Sequence, residues 1–96
     1  MFQQFIARSP NDPFPRYGLA MEYKSRGQLQ DAIAAFDALI ESFPDYVASY
    51  LQLGGVLVAE GDRARAEEIF RRGITAAGAK GDLHAKKELE AALADL

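Results

Sequence analysis

Apolar residues recur along the chain at helical spacing, in runs separated by residues that start or stop helices. Leu19 and Tyr23, Ala32 and Phe36, Leu53 and Leu57, and Ala66 and Phe70 are pairs of this kind, each member lying one turn from its mate on a single helix face. The punctuation between runs is consistent. Asn11-Asp12-Pro13 offers a cap followed by a proline in the first turn, where the missing N–H removes no bond, and Pro15 is tolerable in that same turn. Gly27 and Gly61 suit the left-handed residue that ends a helix, and Asp62 can cap the next one. Pro44-Asp45 repeats the punctuation of Pro10-Asn11. Gly81-Asp82 then breaks and caps before an amphipathic run of Leu83, Leu89, Ala92, Leu93 and Leu96, with Lys86, Lys87, Glu88 and Glu90 around its other turns. The pattern predicts an all-α chain with helices over 2–8, 13–26, 29–42, 46–60, 63–77 and 82–95.

The runs are copies of one another. Leu19 matches Leu53, Gly27 matches Gly61, Ala32 matches Ala66 and Phe36 matches Phe70, always at a separation of 34 residues. The first copy reads Arg16-x2-Leu19-Ala20-x2-Tyr23, then Ala32-x3-Phe36, then Pro44. The second reads Tyr50-x2-Leu53-Gly54-x2-Leu57, then Ala66-x3-Phe70, then Gly78. This resembles the tetratricopeptide repeat, a helix-turn-helix unit of that period. Arg16 stands where the family prefers an aromatic, Ala20 where it has glycine, Leu57 where it has tyrosine and Gly78 where it has the terminating proline. Phe2, Phe5 and Ile6 lie one period before Phe36, Leu39 and Ile40, so the N-terminus reads as the second helix of an incomplete repeat; a frayed terminus with a chance apolar pattern is the alternative. The resemblance implies a right-handed stack of antiparallel helix hairpins. It divides a single domain into a leading half-repeat helix over 1–10, repeats over 13–46 and 47–80, and a capping helix over 82–96. The last helix is read as a cap because Lys87 and Ala91 fall one period after Leu53 and Leu57.

At 96 residues the core is modest, since a domain of this size buries roughly 60–65% of the surface its unfolded chain exposes. A hydrophobic fraction of 49% with 26% charged residues argues for a folded chain rather than a disordered one. The chain has no cysteine, which excludes disulfides, thiolate metal sites and cysteine nucleophiles. The opening segment lacks the features of a signal peptide and no apolar run approaches membrane-spanning length, so a cytoplasmic protein without membrane insertion is expected. A net charge of −3 offers no basic field for a phosphate backbone, so nucleic acid is not an expected partner. The charge is uneven: residues 1–62 hold four Lys/Arg against eight Asp/Glu, and residues 63–96 hold seven against six.

The residues available for chemistry are few. His84 has no second histidine at metal-ligand spacing and reads as a solvent-facing or interhelical side chain. Ser9, Ser25, Ser42 and Ser49 sit near predicted helix ends, where hydroxyls commonly bond the local backbone. Glu67 with Arg71 and Glu68 with Arg72 are helix-stabilising pairs. No catalytic residue, cofactor or metal is expected, and the chain is read as a binding protein rather than an enzyme.

In the tetratricopeptide family the first helix of each repeat lines a concave surface that holds peptides or partner helices. By that resemblance the partner-facing residues are Phe14, Tyr17, Met21 and Lys24, then Ala48, Leu51, Gly55 and Val58. With Leu19, Tyr23, Leu53 and Leu57 assigned to the core, this stripe is apolar surface beyond what folding needs. The alternative is that the N-terminal segment or the C-terminal helix covers it. Chaperone-binding members of the family grip a C-terminal carboxylate with a lysine and asparagines. Here Tyr17 and Met21 hold the first such positions and Gln52 has no accompanying basic pair, so no carboxylate clamp is expected. The function implied is a protein or peptide adaptor of about micromolar affinity. A self-assembling subunit that meets a second copy through its repeat ends or groove is the competing reading.

Overall fold

The computed structural model describes residues 3, 4 and 10–96. Gln3 and Gln4 are helical; the rest of the expected leading helix, with Phe2, Phe5 and Ile6, falls on residues outside those described. Five helices follow: α1 Pro13–Ser25, α2 Leu29–Ser42, α3 Ala48–Ala59, α4 Arg63–Lys80 and α5 Leu83–Ala94. Among the described residues there is no strand.

Local chemistry accounts for the ends. The Asp12 carboxylate accepts from Phe14 N at 3.0 Å and Pro13 opens α1. Asp62 and Asp82 cap α4 and α5 by accepting from Arg65 N and Ala85 N. Gly27, Gly61 and Gly81 hold φ of 74°, 85° and 76°, the left-handed conformation in which a side chain is strained. One boundary differs from expectation by a full turn. The fourth helix was expected to stop at 77 because Gly78 takes the place of a proline, but it runs through Gly78 to Lys80. Glycine weakens a helix interior yet keeps its N–H, so it does not break the ladder as proline would. The third helix begins two residues later than expected, after turns in which Ser49 N and Tyr50 N bond Tyr46 O and Val47 O.

Short turns fold α1 onto α2 and α3 onto α4 as hairpins, α2 packs on α3, and α5 packs on α4 and, less extensively, on α3. Small residues set the close approaches. Ala20, Ala32 and Ala66 are fully buried. A Cβ built on Gly54 would lie 2.6 Å from Cδ1 and Cζ of Phe70, and nearer still to Cε1, so the Phe70 ring rests on the bare backbone of α3. Gly73 receives α3 and α5 in the same way: a Cβ there would meet Tyr50 Cβ at 2.5 Å and Leu89 Cδ2 at 3.0 Å. Phe36, Leu39, Leu53, Leu57, Ile69 and Leu89 fill the space between the helices. Leu19 departs from its expected core role: it is only half-buried and borders a surface concavity with Gln3, Glu22, Tyr23 and Arg26. Arg16, at the position where the family pattern has an aromatic, is half-buried, and its Nε has no hydrogen-bond partner among the described residues.

Candidate functional site

The first helices of the two hairpins, α1 and α3, lie side by side with α5 beyond them, and a concavity of about 320 Å³ opens between the three. Its α1 side is Tyr17. Ala48, Leu51 and Gln52 of α3 form its floor, together with Val47. The far wall is the inner face of α5, from Asp82 to Leu89. The volume is at the low end of ligand pockets, about 300–1,000 Å³, and suits one or two side chains of a larger partner.

The expected stripe residues occupy three kinds of place. Tyr17, Ala48 and Leu51 come together in the concavity. Phe14, at 67% exposure, and Val58, at 41%, face solvent, and Gly55 is exposed as well. Met21 and Lys24 are half-buried on α1 and do not line the concavity. The stripe is therefore not all surplus: Tyr17, Met21 and Leu51 pack against the core, because each turns part of its surface inward between the helices. The Tyr17 ring sits edge-on to Phe36 with centroids 6.1 Å apart, and 5.5 Å from the ring of Tyr46.

A polar contact ties the two first helices together. Lys24 Nζ donates to Gln52 Oε1 at 2.6 Å. Burial, reinforced by Tyr46, raises the Tyr17 pKa above 10.0, against the pull of Gln52. Burial likewise raises Tyr46, with Asp12 adding to it. Tyr50 is raised by burial with Asp45 reinforcing it and Arg72 opposing, and its hydroxyl donates to the Pro44 carbonyl. These hydroxyls stay protonated donors at neutral pH.

The wall supplied by α5 was absent from the expected site. His84 and Glu88 form an i,i+4 pair at 2.9 Å on its rim, and Ala85 and Leu89 line its inner side. The signal for it is the period itself. Tyr17, Leu51 and Ala85 are successive residues 34 apart, and all three line the concavity. The register that fails for core positions in the last helix holds for groove positions. Whether α5 covers the stripe is answered in part: it forms one wall and leaves Phe14 and Val58 exposed.

Among the described residues, no group of three or more His, Cys, Asp or Glu is placed to hold a metal, and no helix is long and apolar enough to cross a membrane. Similar proteins share this architecture. A tetratricopeptide repeat domain protein of Salinibacter ruber, solved by NMR, is 34% identical with a TM-score of 0.85 over 90% of this chain and 87% of that one. The solution structure of a Bordetella parapertussis protein is 28% identical with a TM-score of 0.82, covering 98% of this chain and 82% of that one. A TPR repeat-containing protein of Pseudomonas aeruginosa is 29% identical over 87 residues, 91% of this chain and 83% of its own length. The family model described as Tetratricopeptide repeat matches residues 17–82, from the groove tyrosine of α1 to the cap of α5, and with that match the chain belongs to the tetratricopeptide repeat family.

Proposed function

We propose that this protein is a cytoplasmic adaptor that holds a peptide segment or partner helix in the concavity between α1, α3 and α5. Tetratricopeptide repeats are generally protein–protein interaction modules, and their fold generally serves as scaffold rather than as enzyme. The observation that carries the reading is the concavity itself. It has an apolar floor of Ala48 and Leu51 and an aromatic side at Tyr17, with the exposed side chains of Phe14 and Val58 on the same two helices. Exposed apolar surface of this kind next to a shaped groove is what partner sites present. Repeats over 13–46 and 47–80 with a cap over 82–96 supply the three helices that frame it.

The test is affinity capture from native cell extract with the wild type beside an Ala48→Gln/Leu51→Gln variant. That variant replaces the floor with neutral polar groups and leaves Tyr17 in its packing. Proteins retained by the wild type and lost by the variant would support the adaptor. An unchanged set of captured proteins would refute it. Light scattering on the same two proteins addresses self-assembly: a concentration-dependent dimer abolished by the variant would make a second copy the occupant.

A further inference from the structure

The charges around the concavity bear on what its occupant presents. The floor is neutral, because α3 carries no charged residue from Ala48 to Ala59. On the α1 side, Lys24 is engaged by Gln52. Among the described residues no lysine or arginine lines the concavity, whereas Asp82 and Glu88 of α5 do. Asp82 is committed to its cap, and the positive end of the α5 dipole offsets its charge. Glu88 stands beyond the first turn, outside the reach of that offset, with its side chain 48% exposed and, among the described residues, only His84 within ion-pair distance. At the edge where α1 begins, Asp12 bears on Tyr46. Among the described residues, a cationic ligand meets a half-exposed carboxylate in the concavity's own lining, whereas the Lys24 charge, held at Gln52, lies outside that lining.

We infer that the groove selects a segment in which an apolar side chain is followed closely by lysine or arginine, the apolar group resting on Leu51 and Ala85 and the cation pairing with Glu88. The inference rests on the groove reading above and adds the charge of the occupant. A half-exposed pair of this kind changes affinity by about two- to fivefold at low salt and less as salt is added.

Three fluorescent peptide pools test it, each blocked at both termini and built around a central Leu-Val pair flanked by Lys, Gln or Glu, with binding read by anisotropy. The Lys pool should bind about two- to fivefold more tightly than the Gln pool, and the Glu pool most weakly. Glu88→Gln should abolish that preference with the circular dichroism spectrum unchanged. Glu68→Gln, which removes the same charge from an exposed position of α4, should preserve it. No binding of the Lys pool to the wild type, equal binding of all pools, or a preference that survives Glu88→Gln overturns the inference. The Ala48→Gln/Leu51→Gln variant separates the two levels. Undiminished binding of the pools by that variant removes the groove itself, whereas lost binding there with a Lys preference intact in Glu88→Gln leaves the groove standing and removes only its charge selectivity.

Discussion

Gly54 and Gly55 are neighbours in the middle of α3, and alanine at each should move stability in opposite directions or by very different amounts. Both substitutions gain the same intrinsic term, since alanine is favoured over glycine in a helix interior by about 0.8–1.0 kcal/mol. Only one meets an obstacle. At Gly55 a Cβ finds nothing within 4 Å, so the gain is kept. At Gly54 the Cβ would lie 2.6 Å from two ring carbons of Phe70, far inside the optimum carbon–carbon separation of about 3.5–4.0 Å. Phe70 is 3% exposed and cannot swing away without leaving the core, so α3 and α4 must part. Overpacking of this kind costs about 1–3 kcal/mol. Gly55→Ala should therefore stabilise by about 1 kcal/mol, and Gly54→Ala should be neutral to destabilising by about 2 kcal/mol. The difference between the two isolates the packing cost because propensity cancels. For a domain of this size it corresponds to about 4–24 °C in melting temperature. Thermal and urea unfolding followed by circular dichroism measure it directly. If the two alanines shift the midpoint equally and in the same direction, the close approach at Gly54 is not what fixes the hairpin.

Three further outcomes follow from named contacts. Ser49 is fully buried and its hydroxyl has no hydrogen-bond partner among the described residues, so Ser49→Ala should raise stability by about 0.5–1 kcal/mol in urea titrations; a loss of stability would mean the hydroxyl is satisfied. Leu89 is fully buried against Gly73, and Leu89→Ala should cost about 2–5 kcal/mol, with hydrogen exchange rising first in α5; a cost below about 1 kcal/mol would show that α5 is not held by this side chain. Burial raises Tyr17, Tyr46 and Tyr50 above 10.0, so on raising the pH the unfolded chain ionises before the native one. Their contribution is intact below pH 10 and lost as pH rises through the folded-state values, so the urea midpoint should fall above about pH 10 while tyrosinate absorbance appears late; a rising midpoint there would contradict it.

The hairpins were legible because their determinants are local or periodic. Asp12, Asp62, Gly27 and Gly61 act within a turn of their own positions, and each does what its type suggests. Ala32 with Phe36 and Ala66 with Phe70 are buried because a repeated contact leaves a repeated residue. The misreadings came where a residue's meaning depends on its surroundings. Gly78 was treated as a stop because the family has a proline there, yet a glycine stops a helix only when the following geometry favours it, and in this chain Gly81 takes that role. Leu19 matches Leu53 in the repeat, but Leu53 is fully buried whereas Leu19 borders a surface concavity with Gln3. Of the candidate site, the α1 and α3 faces are legible in the repeat, while the α5 wall is masked because Lys87 and Ala91 break the core register that its groove position, Ala85, keeps.

That split register explains how two repeats make a groove with three walls. A first helix in this fold has one face that contacts its own second helix and another that faces the partner surface. In α3 the inward face carries Leu53 and Leu57, both buried. One period on, Lys87 and Ala91 are exposed in α5, and nothing among the described residues packs over them. A charge at that place makes the outer face of α5 compatible with water and unsuited to receiving another hairpin. The partner face is under a different constraint, and there Ala85 keeps the place of Tyr17 and Leu51. The same helix thus carries the polar face of a cap and the apolar face of a third first-type helix. Substitutions on one face should leave the other's task intact: Lys87→Leu is expected to promote end-to-end association seen by light scattering without changing affinity in the groove, whereas Ala85→Gln should weaken peptide binding in a chain that stays as it is in size. If Lys87→Leu altered both together, the two faces of α5 would not be independent and the three-walled groove would be a by-product of capping.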